Sequence, residues 1–496
     1  MGLHLGIDFG TSTNYITRWN EDKKTVEPVV LGSYGKGPVF PNVIYYESKD
    51  NVLVGDEAVR KGKLDIFNRV EAVKRHIEER GYWRYIPNLG MKLTSTEIAR
   101  DIFRWIKKNI EEKYGGEPID DVVISVPFAY QNSERLKIKN AAANAGLNVR
   151  GLIEEPVAAA LSFGLLDSTT KGNKEKILVF DLGGGTFDVT IFEFQKKSEL
   201  NFQIRVLTTG GAKEMGGIDI DNLMVDRIRE MMESEYPEYN LSDISQDMLD
   251  KESAKMRNIA VELKENLSYS DEEDVFFDSN IIDAVLDETV EVDDFNQWLK
   301  EFVAQIEDVV ESTLNDADLE AKDIDRIILV GGTSNIPRIA EALEEIFHKA
   351  PEKIKEPNML VGEGAGIYCG LRYVEKTLDC DIVIGVSHAI GIKPNGRFKV
   401  MIPRNTPYNK PSDFEILKVR KQDRELELNV YQGTSVNNQK IGKVIITKAI
   451  QNKLADNRIA IRLNTDASDG TVIYELYDVK NDMPDTLLTK EALKGE

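Results

Sequence analysis

Residues 177–188 read ILVFDLGGGTFD, a short apolar run that ends in an acidic residue and three glycines. Such a run is typical of a buried strand that leads into a tight turn. Residues 3–14, LHLGIDFGTSTN, repeat the order of apolar run, aspartate, one apolar residue and glycine-containing polar turn. Because the two stretches lie about one domain length apart, we predict an internal duplication of an α/β unit.

Two more apolar runs fit the same α/β pattern, VVISVP at residues 122–127 and IILVGGTS at residues 327–334. Between the predicted strands, apolar residues recur at three- and four-residue spacing, which predicts helices. These predicted helices span residues 95–113, 133–145, 221–233, 251–267 and 294–314. The acidic run at residues 270–274 predicts a solvated hairpin or loop.

The pattern changes near residue 380, where two-residue alternation replaces helical spacing. Residues 425–431 and 458–463 alternate in this way, which predicts strands. The dipeptide Asp469-Gly470 lies between two such runs and is a strong hairpin signal. A compact all-β domain is therefore predicted after the α/β part.

These patterns predict three parts of the chain. The α/β domain covers residues 1–377 and the all-β domain covers residues 387–496. Between them, residues 378–386 include the apolar stretch DIVIG at 381–385. Because this stretch lacks the turn residues of a loop, we predict a hydrophobic linker that can dock on a neighbouring surface.

The composition of the chain argues against several classes of function. The chain has 496 residues and a net charge of −22, which argues against nucleic-acid binding because phosphates are neutralised by clustered Lys and Arg. No apolar run approaches the length of a membrane helix, and an aspartate interrupts the N-terminus before a signal-peptide core can form. The two cysteines and four histidines show no zinc-site spacing, and we expect a cytoplasmic protein without a membrane partner.

Glycine-rich turns that follow an acidic residue are typical of phosphate and metal sites. Glycines let backbone N–H groups close around phosphate oxygens, while Asp8 and Asp181 would face a hydrated Mg²⁺ ion. The candidate ligand-binding residues in these turns are Gly10, Thr11, Ser12, Thr13, Gly183, Gly184, Gly185, Thr186, Gly331, Gly332 and Thr333. Neither the Walker pattern nor the dinucleotide fingerprint occurs. An ordinary tight turn is the alternative for each stretch taken alone.

Four segments carry a family resemblance: GIDFGT at 6–11, IEEPVAAA at 153–160, DLGGGTFD at 181–188 and LVGGTSNIP at 329–337. In order and spacing they resemble the heat shock protein 70 chaperones, and the first is similar to a motif of actin and sugar kinases. The resemblance implies a duplicated ribonuclease-H-like, actin-like ATPase fold followed by a β-sandwich. It also implies ATP or ADP, Mg²⁺ and K⁺ as ligands.

The resemblance further assigns roles to individual residues. It places Lys74, Glu155, Asp181 and Thr186 in catalysis, Asp8, Asp181 and Asp188 at metal ions, and Lys264 and Ser268 near the ribose and adenine. Lys74 would reach the γ-phosphate and the attacking water, and Glu155 would orient that water. Phosphoryl transfer needs mainly positioning and charge neutralisation, and these groups supply both.

The function implied is an ATP-dependent chaperone of protein folding and the stress response, which couples ATP hydrolysis to binding of unfolded or extended peptides. J-domain co-chaperones and nucleotide exchange factors are the implied partners. Four residues of the β domain align with a peptide groove, although core packing is the more frequent explanation of period-two positions: Ile390, Ile392, Leu426 and Leu428.

Three departures separate this chain from the family pattern. Glu265 and Asn335 stand where two arginines often sandwich the adenine, which predicts weaker ATP binding. Glu154 replaces an asparagine and Gly151 an arginine used in J-domain coupling, although the family's proline switch and arginine relay are matched by Pro127 and Arg135. Few residues follow Asp478, and residues 485–493 are long enough for only about two helical turns. We therefore expect rapid peptide release and no helical lid, whether the lid is naturally absent or truncated.

Two other functions fit parts of the sequence. A regulatory or scaffolding protein that binds ATP and barely hydrolyses it is compatible with Glu265 and Asn335, whereas Lys74 and Glu155 argue against it. An actin-like polymerising ATPase or a sugar kinase would have no use for the linker and the all-β domain.

Overall fold

The computed structural model describes residues 2–31, 37–63, 65–77, 79, 81–128, 130–166, 174–198, 201–212, 214–239, 244–352, 354, 356–376, 381–383, 386, 388–394, 396–404, 406–420, 424–433, 438–466 and 470–493. The first lobe has strands β1 Leu3–Phe9, β2 Thr13–Asn20, β3 Thr25–Pro28, β4 Val39–Pro41, β5 Val43–Tyr46, β6 Val52–Val54, β7 Arg69–Glu71, β8 Trp83–Ile86, β9 Met91–Thr94, β10 Ile119–Val126 and β11 Val149–Glu154. Its helices are α1 Asp56–Gly62, α2 Ser95–Lys113, α3 Asn132–Asn144 and α4 Glu155–Leu166, with 3-10 turns at Ile66–Asn68, Val73–Ile77 and Pro87–Leu89.

The second lobe follows from residue 174. Its strands are β12 Lys174–Leu182, β13 Phe187–Ser198, β14 Asn201–Ala212, β15 Glu272–Asp278, β16 Val285–Glu291, β17 Arg326–Val330 and β18 Asp381–Val383. Its helices are α5 Gly217–Glu235, α6 Gln246–Asn266, α7 Val292–Trp298, α8 Lys300–Asp316 and α9 Pro337–Phe347. The next helix, α10 Leu360–Cys369, returns to the first lobe, where it packs against α4, β1 and β10. Short turns lie at Ala321–Asp323 and Gly332–Asn335, and a π-helical turn at Gly370–Val374.

The predicted duplication is confirmed by the sheet topology. In the first lobe, β10 is parallel to β1, and β1, β2 and β3 follow as an antiparallel meander. In the second lobe, β17 is parallel to β12, and β12, β13 and β14 repeat the meander. The central strands β1 and β12 are apolar and buried because sheet neighbours and helices cover them. Asp8 and Asp181 therefore lie at equivalent strand ends, at the junction with a glycine-rich turn.

The helices agree with the predicted spacing with one difference. Helix α2 has the predicted bounds, and the acidic run near residue 272 opens the β15–β16 hairpin. The single helix predicted at 294–314 is instead α7 and α8, which meet at Leu299. The Leu299 backbone has ψ −6°, which tightens the turn there, while its side chain is fully buried and so continues the apolar stripe.

The linker forms part of the second lobe. Strand β18 pairs in parallel with β14, and Ile382 lies opposite Ile204. This pairing extends the second sheet by one strand, as the apolar sequence predicts for a docking segment. Residues 378–380 and 384–385 of the predicted linker lie outside the described residues, and Val386 is buried in the core of the all-β domain.

The chain ends in a β-sandwich, in agreement with the predicted all-β part. Its strands are β19 Ile390–Ile392, β20 Lys399–Ile402, β21 Glu415–Lys418, β22 Leu426–Gly433, β23 Asn438–Ile446, β24 Arg458–Thr465, β25 Val472–Lys480 and β26 Met483–Ala492, with helix α11 at Lys448–Lys453. One sheet has the order β20-β19-β22-β23 and the other β21-β24-β25-β26. Their facing sides form one apolar core.

The two helical turns for which residues 485–493 are long enough do not form. Residues 485–492 belong to strand β26, which pairs with the edge of β25 so that Thr489 lies opposite Leu476. Pairing satisfies the backbone groups that β25 would otherwise expose, and Leu493 fills the core at 2% exposure. A local sequence compatible with a helix is thus overridden by a sheet edge and an apolar core. Asp469 of the predicted hairpin lies outside the described residues.

Candidate nucleotide site

The first glycine-rich hairpin joins β1 to β2. Its backbone closes through the Gly10 N–H, which donates to the Thr13 carbonyl oxygen at 3.0 Å. Asn42 holds it from outside, because its side-chain amide donates to the Gly10 carbonyl at 2.5 Å and its N–H donates to the Ser12 carbonyl at 2.7 Å. Sequence reasoning did not find Asn42, which lies in a different segment and has no motif.

The second hairpin joins β12 to β13 in the same way. The Gly183 N–H donates to the Thr186 carbonyl at 3.1 Å. The first turn of α5 supports it, because the N–H groups of Gly217 and Ile218 donate to the carbonyls of Gly183 and Gly184 at 3.0 and 2.8 Å. The hairpin carbonyls are therefore satisfied from behind, which leaves its N–H groups on the opposite side for an anion.

The two hairpins face each other across the cleft between the lobes. They lie so close that a Cβ added at Gly185 would be 2.7 Å from a methyl carbon of Thr11. The cleft forms a cavity of about 1350 Å³. It is lined by these predicted residues: Asp8, Gly10, Thr11, Ser12, Thr13, Lys74, Glu155, Asp181, Gly183, Gly184, Thr186, Lys264, Ser268, Gly331, Gly332 and Thr333.

Two predicted residues do not line the cavity. Gly185 lies against Thr11, where its lack of a side chain lets the hairpins meet. Asp188 is buried at 4% exposure and lies opposite Asp181 in the β12–β13 ladder. Both support the hairpins, and Asp188 adds a negative charge beside the cavity.

Lys74 and Glu155 form a buried ion pair at the cavity wall. The Lys74 Nζ lies 2.5 Å from the Glu155 Oε1, and the two residues are 4% and 8% exposed. Lys74 comes from the 3-10 turn after β7, and Glu155 is the first residue of α4. The Tyr130 hydroxyl donates to the Lys74 carbonyl at 3.1 Å, which fixes this turn. The arrangement places one ammonium and one carboxylate between the hairpins.

The remaining carboxylates of the cleft repel one another. Enclosure by the cleft walls, and then the nearby Glu155 carboxylate, raise the pKa of Asp8 to about 6, although Lys74 and a 2.7 Å hydrogen bond from Ser125 oppose this rise. Burial, followed by Glu155, Asp188 and Asp8, raises the pKa of Asp181 well above its usual value. Several carboxylates thus share one ammonium, so the cleft favours further positive charge.

This donor set fits a hydrated cation. Among the described residues, no three Asp, Glu, His or Cys side chains are arranged to ligate one metal ion directly. Asp8 and Asp181 present oxygens from opposite lobes, which suits a Mg²⁺ ion that keeps most of its water ligands.

The far end of the cavity lies between α6 and the turn at Gly332–Asn335. Lys264 forms a 2.6 Å ion pair with Asp221, and the Ser268 hydroxyl donates to the Lys264 carbonyl at 2.9 Å. The Thr333 hydroxyl donates to the Gly183 carbonyl at 2.9 Å, which joins this end to the second hairpin. Glu265 and Asn335 are exposed and both line the cavity.

We expect Asn335→Arg to tighten ATP binding about fivefold, because a guanidinium face over the base contributes about 1 kcal/mol. Asn335 is exposed at the cavity wall, so the larger side chain has room. Isothermal titration calorimetry of ATP measures the change, with Asn335→Gln as the uncharged control. An unchanged or lower affinity in the arginine variant would show that the base does not lie beside this residue.

One cross-cleft contact was not found from the sequence. Arg75, next to Lys74, donates to both carboxylate oxygens of Asp219 at 2.8 and 3.0 Å. Because Arg75 belongs to the first lobe and Asp219 to α5, this pair ties the lobes together over the cavity. Neither residue lies in a recognisable motif.

The sandwich contacts the lobes beside the ion pair. The Tyr408 hydroxyl donates to the Glu154 Oε1 at 2.6 Å, and the same oxygen lies 2.8 Å from the Arg135 guanidinium. Glu154 is fully buried and directly precedes Glu155. Arg404 anchors the sandwich on the second lobe through Asp316 and the Thr209 carbonyl. A sandwich residue therefore bonds to the chain neighbour of a candidate catalytic residue.

The predicted groove residues differ in exposure. Ile390 and Ile392 are 2% and 0% exposed and belong to the sandwich core, as the core alternative expected. Leu426 and Leu428 are half-buried at the edge of that core.

In the part of the chain that the structure describes, no helix has the length and apolar character needed to cross a membrane.

Comparisons with known proteins agree with this geometry. A family model described as Hsp70 protein matches residues 4–483. The chain is 32% identical over 441 residues to the chaperone protein DnaK of Thermotoga petrophila, which covers 86% of this chain and 70% of that relative, and it is equally similar to that of Thermotoga maritima. It is 31% identical over 439 residues to the chaperone protein DnaK of Thermosipho melanesiensis, with the same coverage.

Proposed function

Because this chain belongs to the Hsp70 family, we propose that it is an ATP-dependent chaperone, in which ATP hydrolysis between the lobes is coupled to binding of unfolded or extended peptides by the sandwich. The observation that carries the proposal is the pair of facing glycine-rich hairpins around the buried Lys74–Glu155 pair. Hsp70 family members are ATPases, and this arrangement suits the same reaction.

The residues of the cleft would have separate roles in ATP hydrolysis. The hairpin N–H groups and the hydroxyls of Thr11, Thr13 and Thr186 would hold the phosphates. Lys74 would neutralise charge on the transferred phosphoryl group, and Glu155, held by Lys74 at 2.5 Å, would orient the attacking water. Mg²⁺ would supply charge neutralisation near Asp8 and Asp181, and K⁺ would lie near Asp8 and Asp188.

Hydrolysis and peptide binding would be coupled by the contact between Tyr408 of the sandwich and Glu154 of the first lobe. Tyr408 and Arg135 share the Glu154 carboxylate, so undocking the sandwich removes one donor from a buried charge. Glu154 and Glu155 are adjacent at the start of α4, so a shift of one moves the other. Docking of strand β18 on β14 supplies a second connection.

We expect Tyr408→Phe to weaken this coupling. Loss of a hydrogen bond to a charged group costs about 1.5–3 kcal/mol, so the modest difference between the peptide release rates in ATP and ADP should largely disappear. Stopped-flow release of a fluorescent apolar peptide from each nucleotide state measures the difference. Tyr474→Phe, which removes a hydroxyl bonded to the Glu491 carboxylate within the sandwich, is the control.

A difference that stays at the wild-type value in Tyr408→Phe would contradict the proposed route. If the wild-type protein released the peptide at the same rate in ATP and ADP, the proposed coupled chaperone function itself would be wrong.

The partners and location follow from the same proposal. J-domain co-chaperones and nucleotide exchange factors would set the pace of the cycle in the cytoplasm. Glu154 and Gly151 stand in the region used for J-domain coupling, so this coupling would differ from that of other members. No observation favours the alternative of a regulatory or scaffolding protein with weak hydrolysis.

A further inference from the structure

The far end of the cavity has two walls, one formed by the end of α6 and the other by the turn at Gly332–Asn335. The walls approach each other at Gly217, where an added Cβ would lie 2.7 Å from the Thr333 hydroxyl oxygen and 3.3 Å from the Lys264 Nζ. The end of α6 is therefore held close to both the second hairpin and the turn. A nucleotide whose phosphates lie between the hairpins would place its base in the space between these walls.

Tyr269 belongs to the α6 wall. Helical hydrogen bonding continues past the end of α6, because the Ser268 N–H donates to the Glu265 carbonyl at 3.3 Å and the Tyr269 N–H donates to the Asn266 carbonyl at 2.9 Å. Residues one helical turn apart lie on the same face, so Tyr269 follows Glu265 on the face that lines the cavity. Both side chains are exposed.

The Tyr269 ring is open to the cavity. It is 80% exposed, the highest value among the large apolar and aromatic side chains that the structure describes as exposed. Within the described ranges, its side chain makes no hydrogen bond and no contact with another ring or a cation. An aromatic ring at the wall of a ligand cavity is suited to packing against a flat apolar group.

We propose that Tyr269 stacks on the nucleotide base and supplies the planar contact that Glu265, one helical turn earlier, cannot make. This proposal rests on the proposed ATP-binding function and identifies a specificity-determining residue of its site. Bases stack on aromatic rings as they do on arginine planes. Asn335 belongs to the opposite wall, so Tyr269 would cover one face of the base and Asn335→Arg would cover the other.

Isothermal titration calorimetry of the full chain with Mg²⁺ and three ligands tests the proposal: ATP, CTP and inorganic tripolyphosphate. Tyr269→Ala is expected to weaken ATP binding about tenfold, the scale of one base stacked on an aromatic ring. Tripolyphosphate should bind with unchanged affinity because it has no base. The affinity for CTP should fall less than the affinity for ATP, because a single pyrimidine ring overlaps the phenol ring over a smaller area.

Further variants separate the flat ring from the other properties of the residue. Tyr269→Phe removes only the hydroxyl and should keep the wild-type affinity for ATP. Tyr269→Leu keeps an apolar side chain without a flat face and should lose nearly as much affinity as Tyr269→Ala. Phe276→Ala is the matched control, because Phe276 is a 61% exposed aromatic residue of the same lobe that does not line the cavity. This variant should bind ATP as the wild type does.

Each result has a distinct meaning for the base contact and for the function on which it rests. If the wild type binds ATP and Tyr269→Ala binds it equally well, the stacking proposal is overturned and ATP binding stands. Equal losses for ATP and tripolyphosphate also overturn it, because the substitution then acts on the phosphate site. If the wild type binds neither ATP nor tripolyphosphate, the nucleotide-binding function is wrong, and the base contact falls with it.

Discussion

Lys74→Ala is expected to slow single-turnover ATP hydrolysis by about 10²–10³-fold, the scale for removing a preorganised charge contact from a transition state. Lys74 is buried and holds Glu155 at 2.5 Å, so its loss also frees the carboxylate that would orient the water. ATP should still bind, because both hairpins, which would hold the phosphates, keep their structure. Rapid-quench hydrolysis and calorimetric titration of the same sample separate the two effects.

Lys63→Ala is the matched control for this experiment. Lys63 also lines the cavity, but its side chain is exposed and it lies outside the buried ion pair. Its variant should hydrolyse ATP at nearly the wild-type rate. Hydrolysis by Lys74→Ala at the wild-type rate would remove Lys74 from catalysis, and equal losses in both variants would point to the charge of the cavity as a whole.

Gly216→Val is expected to lower the catalytic efficiency of ATP hydrolysis by about 10²-fold. A Cβ at this residue would lie 2.7 Å from the backbone carbon of Gly184 and from the Gly185 nitrogen, so the second hairpin must move. Displacing a catalytic element by about 1 Å can cost this much. Gly216 has φ 179°, an ordinary extended backbone, so the effect comes from the close approach and not from strain.

Steady-state kinetics with Gly37→Val as the control measure this effect. A Cβ at Gly37 meets no atom within 4 Å, so the same substitution there should be nearly neutral. Urea unfolding of both variants shows whether the fold survives. A Gly216→Val protein with normal hydrolysis would mean that the second hairpin tolerates displacement, and its proposed role in holding phosphates would then be wrong.

The parts of this fold that were predictable have strong local signals. The strands before Asp8 and Asp181 are apolar runs ended by glycine, so sequence alone indicates strand, turn and duplication. The strands of the sandwich were likewise predictable, because their alternation of apolar and polar residues can be read from short stretches of sequence. By contrast, residues 485–493 contain Leu, Lys, Glu and Ala, which fit a helix, and only the open edge of β25 makes them a strand. The division of the helix predicted at 294–314 into α7 and α8 at Leu299 also depends on packing.

The residues of the candidate site also fall into those that a short sequence pattern reveals and those that it does not. The hairpin glycines and their aspartates could be found from spacing, whereas Lys74 has no local pattern and came only from the family resemblance. Asn42, Gly216 and the Arg75–Asp219 pair could not be found at all, because each acts on a segment far away in the chain. Such contacts depend on how the two lobes face each other, which no short motif encodes.

The central claim is that ATP hydrolysis between the lobes responds to peptide in the sandwich. Single-turnover hydrolysis of ATP by the wild-type chain, with and without a saturating apolar peptide, tests it most directly. We expect the peptide to accelerate hydrolysis in the wild type and to have a much smaller effect in Tyr408→Phe, which lacks the hydroxyl bonded to Glu154. Hydrolysis that proceeds at the same rate with and without bound peptide would contradict the coupling.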